Sequence, residues 1–216
     1  MKQVYINDTN IISPLGFSVE ENFENLLNGH TGIRSVTFPE PMGSIFAGKI
    51  NDEVFNPFFQ NIDPTFTGSR IERLMIAALD AIVRKNPITQ HALLIVSTTK
   101  GNIRALEDGN SSEAALNHTA QNVANYFGFQ QQPIIVSNAC VSGVMALSVA
   151  KRFIQMNQAT DVYIIAVDEL TAFTVSGFQS FQAMSNEICQ PFDQERKGVN
   201  LGEASVAAYV SSEKKE

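Results

Sequence analysis

From residue 92 onward, short apolar runs alternate in this chain with segments whose apolar residues have helical spacing. Residues 92–97 (ALLIVS), 133–137 and 162–167 are brief, nearly continuous apolar runs, which is typical of strands buried on both faces of a parallel sheet. Between them, residues 119–127 and 142–156 have the length and the apolar spacing of helices. Parallel strands need crossover connections, which are usually helices, so this order predicts an α/β fold.

The first half and the end of the chain supply the remaining predicted elements. A helix over residues 69–84 is the clearest, because its apolar residues recur at i, i+3 and i+4. Residues 32–67 are rich in Pro, Phe and Asn and are predicted to be loop around one short strand. We find no repeat or linker and expect residues 1–216 to form a single domain. The other predictions are strands at residues 3–12, 45–50 and 204–210, helices at 19–28 and 172–183, and a loop at 185–201.

The composition argues against several kinds of partner. The chain has a formal charge of −7 and a pI near 5.0, whereas nucleic-acid binding relies on clustered Lys and Arg. The sequence shows no secretory signal and no run near the roughly 18 apolar residues of a membrane span. Its two cysteines lie outside any CxxC spacing, which favours free thiols over a disulfide framework or a zinc site. We therefore expect a cytoplasmic protein with no metal and no bound cofactor.

The sharpest local feature is the segment PIIVSNACVSGVMALSVAKRFI, in which a tight turn carrying Cys140 joins an apolar strand to a helix. Unpaired N–H groups and the positive end of the helix dipole stabilise a thiolate at that position and make it a better nucleophile. Ser142 and Gly143 leave room beside the sulfur. The helix is apolar nearly all round, which predicts that it is buried. On the local pattern alone an ordinary cysteine at a strand end is the simpler interpretation, because most unpaired cysteines behave as small buried hydrophobic residues.

Other candidate site residues have simpler interpretations. The chain contains no GxGxxG, GxxxxGK[ST], HExxH or GxSxG motif, which removes the simplest dinucleotide, nucleotide, metalloprotease and serine-hydrolase hypotheses. His30, His91 and His118 are scattered and are predicted to lie on the surface. Residues 193–197 form a mixed-charge loop that is predicted to be solvated.

Four further segments carry motifs in a fixed order. The first, IISPLGFSVEENFENLLNGHTGI, has a Ser-Pro-Leu-Gly turn before a helix, and the next two are SNACVSGV and GFQSFQAMS. The last, QPFDQERKGVNLGEASVAAYV, has Pro-Phe-Asp-x-x-Arg-x-Gly before Gly-Glu. Together they resemble the N-terminal half of the β-ketoacyl-acyl-carrier-protein synthases, which belong to the thiolase-like superfamily. Relative to that family, Asn138 replaces a Thr, Ala204 replaces a Gly, and Glu169 falls on an acidic position.

The resemblance implies a fold and a reaction. The fold would be a thiolase-like half, a mixed five-stranded sheet with helices on both faces. Cys140 would accept an acyl group from an acyl carrier protein or coenzyme A, and malonyl-carrier protein would then be decarboxylated and attack the acyl thioester. The family's catalytic histidines lie in a C-terminal half that this sequence does not contain, so we expect the isolated chain to be weakly acylated at most and unable to condense.

The same resemblance leaves several alternatives open. The chain would be part of a longer synthase, a half that docks with a separate C-terminal-like subunit, or a non-catalytic partner that binds carrier protein. A homodimer is expected in addition. Lys151 and Arg152, or Arg70 and Arg73, are candidates for contacting an acidic carrier protein, although each also fits ordinary helix charge. Fatty-acid, polyketide and aryl-polyene pathways all fit, and the candidates for an acyl tunnel, which also fit an ordinary core, are Phe178, Phe181 and Met184.

Overall fold

The computed structural model of the chain describes residues 2–215. Strands and helices alternate along most of it, as the apolar pattern predicts. Along the chain the elements are β1 (Tyr5–Ile12), α1 (Val19–Leu27), β2 (Ile33–Thr37), β3 (Ser44–Gly48), α2 (Asp52–Gln60), α3 (Arg70–Lys85), β4 (Leu93–Ser97), α4 (Arg104–Glu107), α5 (Ser111–Ala114), α6 (Leu116–Phe127), β5 (Ile134–Val136), α7 (Ser142–Gln155), β6 (Asp161–Asp168), α8 (Ala172–Ser180), β7 (Leu201–Gly202) and β8 (Ala204–Ser211).

The main sheet has five strands in the order β1-β8-β6-β4-β5. Strands β6, β4 and β5 run parallel, with Ile95 of β4 between Ile164 and Ile134. Strand β8 pairs antiparallel with both β6 and β1, which makes the sheet mixed. This arrangement confirms the α/β class and the mixed five-stranded sheet. The carboxyl ends of the parallel strands meet at one edge, where loops collect the candidate site.

Helices cover both faces of this sheet. On one face α3 and α6 pack against β4, β6 and β8, and the buried residues there include Leu79, Val123 and Tyr163. On the other face α7 packs, through Ala146, Ala150 and Ile154, against β4, β6 and β8. Helix α3 begins at a capping box between Ser69 and Glu72, which satisfies N–H groups of its first turn. The prediction of helices on both faces is therefore confirmed.

The stretch from residue 32 to 67 is more ordered than predicted. Strands β2 and β3 pair antiparallel, and β7 joins β3 in parallel to complete a three-stranded sheet. The sequence predicts loop where α2 lies. Phe55, Phe58 and Phe59 have helical spacing, but Pro57 and the neighbouring Asn residues are typical of loops and outweigh that signal. Helix α8 ends three residues before its predicted end at 183, since Gln182 takes a left-handed backbone with φ of 54°.

Within the described residues, no helix combines the length and the apolar character needed to cross a bilayer.

Candidate active site around Cys140

Cys140 lies in the connection between β5 and α7. Strand β5 ends at Val136, α7 begins at Ser142, and the Cys140 side chain is exposed. The structure therefore has the predicted strand, turn and helix. Because the residue is open to solvent at the carboxyl edge of the parallel strands, the thiol is accessible to a reactant.

Hydrogen bonds around Ser142 hold this turn in one conformation. The Ser142 hydroxyl accepts a hydrogen bond from the Asn138 N–H at 2.8 Å and donates one to the Ala139 carbonyl at 2.7 Å. The Val141 N–H also donates to the Asn138 carbonyl at 3.1 Å. Ala139 has a φ of 44°, a left-handed conformation that costs free energy for a residue with a side chain. The closed set of bonds stabilises that conformation and fixes the backbone that carries Cys140.

The start of α7 favours negative charge. Its first turn contains no acidic residue, and the N-terminus of a helix carries partial positive charge and free N–H groups. Among residues 2–215, none accepts a hydrogen bond from the Cys140 backbone N–H. That N–H is therefore available to an oxygen atom of a bound molecule.

A small pocket opens beside Cys140. Its volume is about 270 Å³, and most of the side chains around it are small, because Gly143 and Ala166 face it from α7 and β6. Strand β8 contributes Ala204 and Val206. Ala204 lies in extended strand backbone, so the Ala in place of the family's usual Gly is not strained. Three lining residues have polar side chains besides the thiol, and they are Ser97, Ser142 and Asp168.

A cluster of charges centred on the buried side chains of Arg70, Glu169 and Glu203 lies next to this pocket. Arg70 contacts three carboxylates, with Nη2 at 2.7 Å from Glu203, Nη1 at 3.2 Å from Glu169 and Nε at 2.6 Å from Asp52. Arg104 Nε lies 2.6 Å from Glu169 Oε1. Glu169 and Glu203 directly follow Asp168 and Gly202, which line the Cys140 pocket. The cluster therefore ties α3 to the loops that shape the pocket.

Glu203 is the centre of this cluster. It accepts hydrogen bonds from the Ile50 N–H at 2.8 Å and the Leu170 N–H at 2.9 Å, in addition to both terminal nitrogens of Arg70. Burial acts to lower the pKa of Arg70, but the hydrogen bond and charge of Glu203, followed by Asp52 and Glu169, outweigh it and raise that pKa. Arg70 is therefore a permanent cation inside the protein.

Glu169 is the second buried carboxylate of this cluster. Burial raises the pKa of the Glu169 carboxyl above its ordinary value, although the charges of Arg104 and Arg70 act in the opposite direction. The sequence resemblance marks Glu169 and Glu203, but their common partner was missed, because Arg70 and Glu203 are 133 positions apart. The one feature of the sequence that could have indicated a buried Arg70 is its position at the start of α3, a helix whose inner face is otherwise apolar.

Several predictions about individual residues are tested by this geometry. His30, His91 and His118 are exposed, and so are residues 193–197, as predicted. Arg70 was a candidate for carrier-protein docking, and this is wrong, because it is only 8% exposed and faces carboxylates. The prediction that α7 is buried all round is also wrong, since Val144 is 68% exposed.

The tunnel candidates do not converge on the Cys140 pocket. Phe178 is half-buried, Phe181 is 81% exposed, and Met184 packs against a small cluster that includes Phe38 and Leu170. None of these three side chains lines the 270 Å³ pocket. A larger cleft of about 590 Å³, between the start of α3 and helices α4 to α6, does not include Cys140. Residues 2–215 hold no group of three His, Cys, Asp or Glu side chains placed to bind a metal ion.

Solved structures resemble the chain over nearly its whole length. A chain of a ketosynthase in complex with its chain length factor, from Xenorhabdus doucetiae, superposes with a TM-score of 0.81 at 20% identity, covering 99% of this chain and 59% of that one. A structure of a type II PKS acyl-carrier protein in complex with its ketosynthase, bound to the hexaketide, gives a TM-score of 0.77 at 16% identity, covering 97% and 58%. At these identities the likeness establishes the thiolase-like fold.

Sequence comparisons lead to the same family. A mitochondrial protein of Schizosaccharomyces pombe, named as a 3-oxoacyl-[acyl-carrier-protein] synthase, is 27% identical over 97% of this chain. The chain spans 58% of the length of that relative. The family model described as "Beta-ketoacyl synthase, N-terminal domain" matches residues 1–216. The chain therefore belongs to the beta-ketoacyl synthase N-terminal domain family.

Proposed function

We propose that residues 1–216 form the N-terminal domain of a 3-oxoacyl-[acyl-carrier-protein] synthase, in which Cys140 accepts the acyl group. The Cys140 thiol would lose its proton, and its sulfur would attack the thioester carbonyl of an acyl-carrier protein. The carbon–sulfur bond to the carrier breaks, and the carrier thiol leaves with a proton. In the complete enzyme, malonyl-carrier protein then loses carbon dioxide and its carbanion attacks the acyl group on Cys140.

One observation carries this proposal: Cys140 is exposed on a fixed turn at the positive end of α7, in a chain of this family. We also propose that the Cys140 N–H is a donor of the oxyanion hole, because a backbone N–H stabilises the oxyanion that forms when a thioester is attacked. The small side chains of the pocket leave space beside the sulfur for an acyl group.

Condensation would need a C-terminal half. The chain spans 58% of its curated relative and 59% of the matched ketosynthase-complex chain. Removing one oxyanion donor typically slows such reactions about 100- to 1,000-fold, and the family's catalytic histidines have no counterpart among the three exposed histidines here. We therefore propose that the isolated chain is acylated slowly and does not condense.

An uncovered apolar surface supports docking of that half. On the sheet face that carries α7, Ile6 of β1 and Val206 of β8 are 56% and 39% exposed. From α7, Val141, Val144 and Met145 are 51%, 68% and 41% exposed. Exposed apolar side chains on one face of a protein mark a candidate interaction surface. We define these five residues as the α7 face and assign the C-terminal half to it.

The remaining partners follow from the family. We propose an acyl carrier protein as the acyl donor, which is supported by the carrier-protein complex of a related ketosynthase. Lys151 and Arg152, which are exposed near the end of α7, are the residues that we propose to contact it. A homodimer in the cytoplasm remains our expectation, and the edge strand β5 is one surface that it would use.

A second candidate is a non-catalytic partner subunit, because one of the matched structures contains a chain length factor. Such a partner would bind carrier protein without forming a covalent adduct. The presence of an exposed Cys140 on a fixed turn favours the synthase.

The test is reconstitution. The chain would be mixed with the C-terminal half of a related synthase, acyl-carrier protein and malonyl-carrier protein, and the 3-oxoacyl product would be detected by mass spectrometry. Product that disappears with Cys140→Ala would support the synthase. Tight carrier-protein binding that is unaffected by Cys140→Ala, with no product and no adduct, would support the partner subunit instead.

A further inference from the structure

Ser97 is a buried residue that lines the Cys140 pocket. It ends β4, is 1% exposed, and its Oγ has no hydrogen-bond partner among residues 2–215. Leu93 and Ile95, two and four positions earlier on the same strand, pack beneath α7, so strand alternation places Ser97 on the α7 side of the sheet. Buried hydroxyls are normally paired, because leaving one unpaired costs free energy. The structure thus has an unpaired buried hydroxyl on a residue that lines the pocket.

The neighbouring polar side chains already have hydrogen bonds, which in Asp168 engage one of the two carboxylate oxygens. The Ser142 hydroxyl is used within the turn. Asp168 Oδ1 accepts hydrogen bonds from the Thr99 N–H at 3.0 Å and from the Thr99 and Thr98 hydroxyls at 2.8 and 3.2 Å. Asp168 is therefore held in place, and its carboxylate adds a fixed acceptor to the pocket lining. Ser97 is the side chain of this set with both of its hydrogen-bonding functions free.

We propose that this pocket selects short acyl groups that carry a hydroxyl near the thioester, with Ser97 as the residue that determines the preference. The inference rests on the proposed acyl transfer to Cys140 and names its substrate class. A hydroxyl both donates and accepts, so it matches Ser97 and the fixed acceptor of Asp168, whereas a carboxylate would be repelled by Asp168. The volume of about 270 Å³ is below the range usual for drug-sized ligands, which suits a short chain.

The first arm of the test compares two acyl donors. The N-acetylcysteamine thioesters of 3-hydroxybutanoate and butanoate would be reacted with the Cys189→Ala chain, in which Cys140 is the remaining free thiol, and acylation would be followed by intact mass. We expect the hydroxylated donor to react about 3- to 10-fold faster, the factor that one net hydrogen bond supplies. Ser97→Ala should bring the ratio to about one, while Ser148→Ala, an exposed serine on α7, should leave it unchanged.

The second arm does not depend on acyl transfer. Methanethiosulfonate reagents carrying a 3-hydroxypropyl or a propyl group form a disulfide with Cys140 and release methanesulfinate. The rate constant of each reagent with Cys140 would be divided by its rate constant with free glutathione, which corrects for the intrinsic reactivity of the reagent. The same preference, and its loss in Ser97→Ala, is expected. A ratio near one in the parent chain, or a preference that survives Ser97→Ala, would overturn the inference.

The two arms separate the two proposals. If neither thioester acylates Cys140 but the disulfide arm shows the Ser97-dependent preference, the acyl-transfer function fails and the polar pocket stands. Folding of Ser97→Ala would be checked by its thermal midpoint, which should be kept or raised because the change removes an unpaired buried hydroxyl.

Discussion

Arg70 and Glu203 meet inside the protein, with Arg70 Nη2 2.7 Å from Glu203 Oε1, although 133 positions separate them in the sequence. The contact joins the first residue of α3 to the residue before β8. Because Gly202 and Ala204 on either side of Glu203 line the Cys140 pocket, the ion pair links the core of the fold to the shape of the candidate site.

Removing Glu203 should destabilise the chain strongly. Glu203→Ala leaves the buried Arg70 with less compensating charge and deprives the Ile50 and Leu170 N–H groups of their acceptor. We expect the free energy of unfolding in urea to fall by about 3–5 kcal/mol, as is usual when one partner of a buried ion pair is deleted. The exposed Glu195→Ala is the matched control and should change it by less than about 0.5 kcal/mol. Equal effects of the two substitutions would contradict the buried cluster.

Glu169→Gln should alter how stability depends on pH. Burial raises the pKa of Glu169 in the folded chain above its ordinary value of 4.5, so the folded state binds a proton that the unfolded state has lost. Stability from this group is complete below pH 4.5 and is lost as pH rises through the folded-state pKa. Glutamine has no titrating carboxyl, so the Glu169→Gln variant does not lose stability from this position as pH rises.

The unfolding free energy of Glu169→Gln minus that of the parent should therefore increase from pH 4.5 upward. Urea unfolding at a series of pH values measures it. A difference that decreases with pH would show that Arg70 and Arg104 dominate and lower the pKa instead.

Ser142→Ala should slow the acylation of Cys140 while lowering the stability of the fold only modestly. The hydroxyl bridges the Asn138 N–H and the Ala139 carbonyl, and its loss frees the backbone that positions Cys140. We expect acylation of Cys140 to slow by about 10-fold and the unfolding free energy to fall by about 1–2 kcal/mol. Ser148→Ala on the same helix controls for loss of a hydroxyl, and identical acylation rates for the two variants would contradict a positioning role.

The strands and long helices are predictable from the sequence because their signals are local. Leu93 to Val96 form a continuous apolar run, and the apolar residues of α3 repeat at helical spacing, so each element is visible within a short window. Cys140 is placed correctly for the same reason, since strand, turn and helix are contiguous.

Features that depend on contacts between distant segments were not predictable. Arg70 meets Glu203 and Glu169 only after the sheet has formed, and before that it has the appearance of a surface charge. The exposure of Val144 also depends on what covers α7, which the apolar sequence of the helix does not specify. Helix α2 lies between the predictable and the unpredictable elements. Its Phe residues have helical spacing, but Pro57 argues against a helix.

Val144→Lys should separate folding from association. Val144 is 68% exposed on the α7 face, so a lysine there should change the unfolding free energy of the isolated chain by less than about 0.5 kcal/mol. Burying that lysine against a C-terminal half would be costly, and binding of the half should weaken more than 10-fold in calorimetric titration. Val54→Lys on α2, where Val54 is 57% exposed, is the matched control. Equal binding by both variants would place the C-terminal half elsewhere.

The most direct measurement is the intact mass of the chain after long incubation with an acyl-carrier protein in excess, beside Cys140→Ala and Cys189→Ala. Cys140 is exposed on the α7 turn, whereas Cys189 is half-buried and does not line the pocket. The account predicts an increase of one acyl group in the parent chain and in Cys189→Ala, and none in Cys140→Ala. An acyl adduct that persists in Cys140→Ala, or its absence from all three chains, would contradict the assignment of Cys140 as the acyl acceptor.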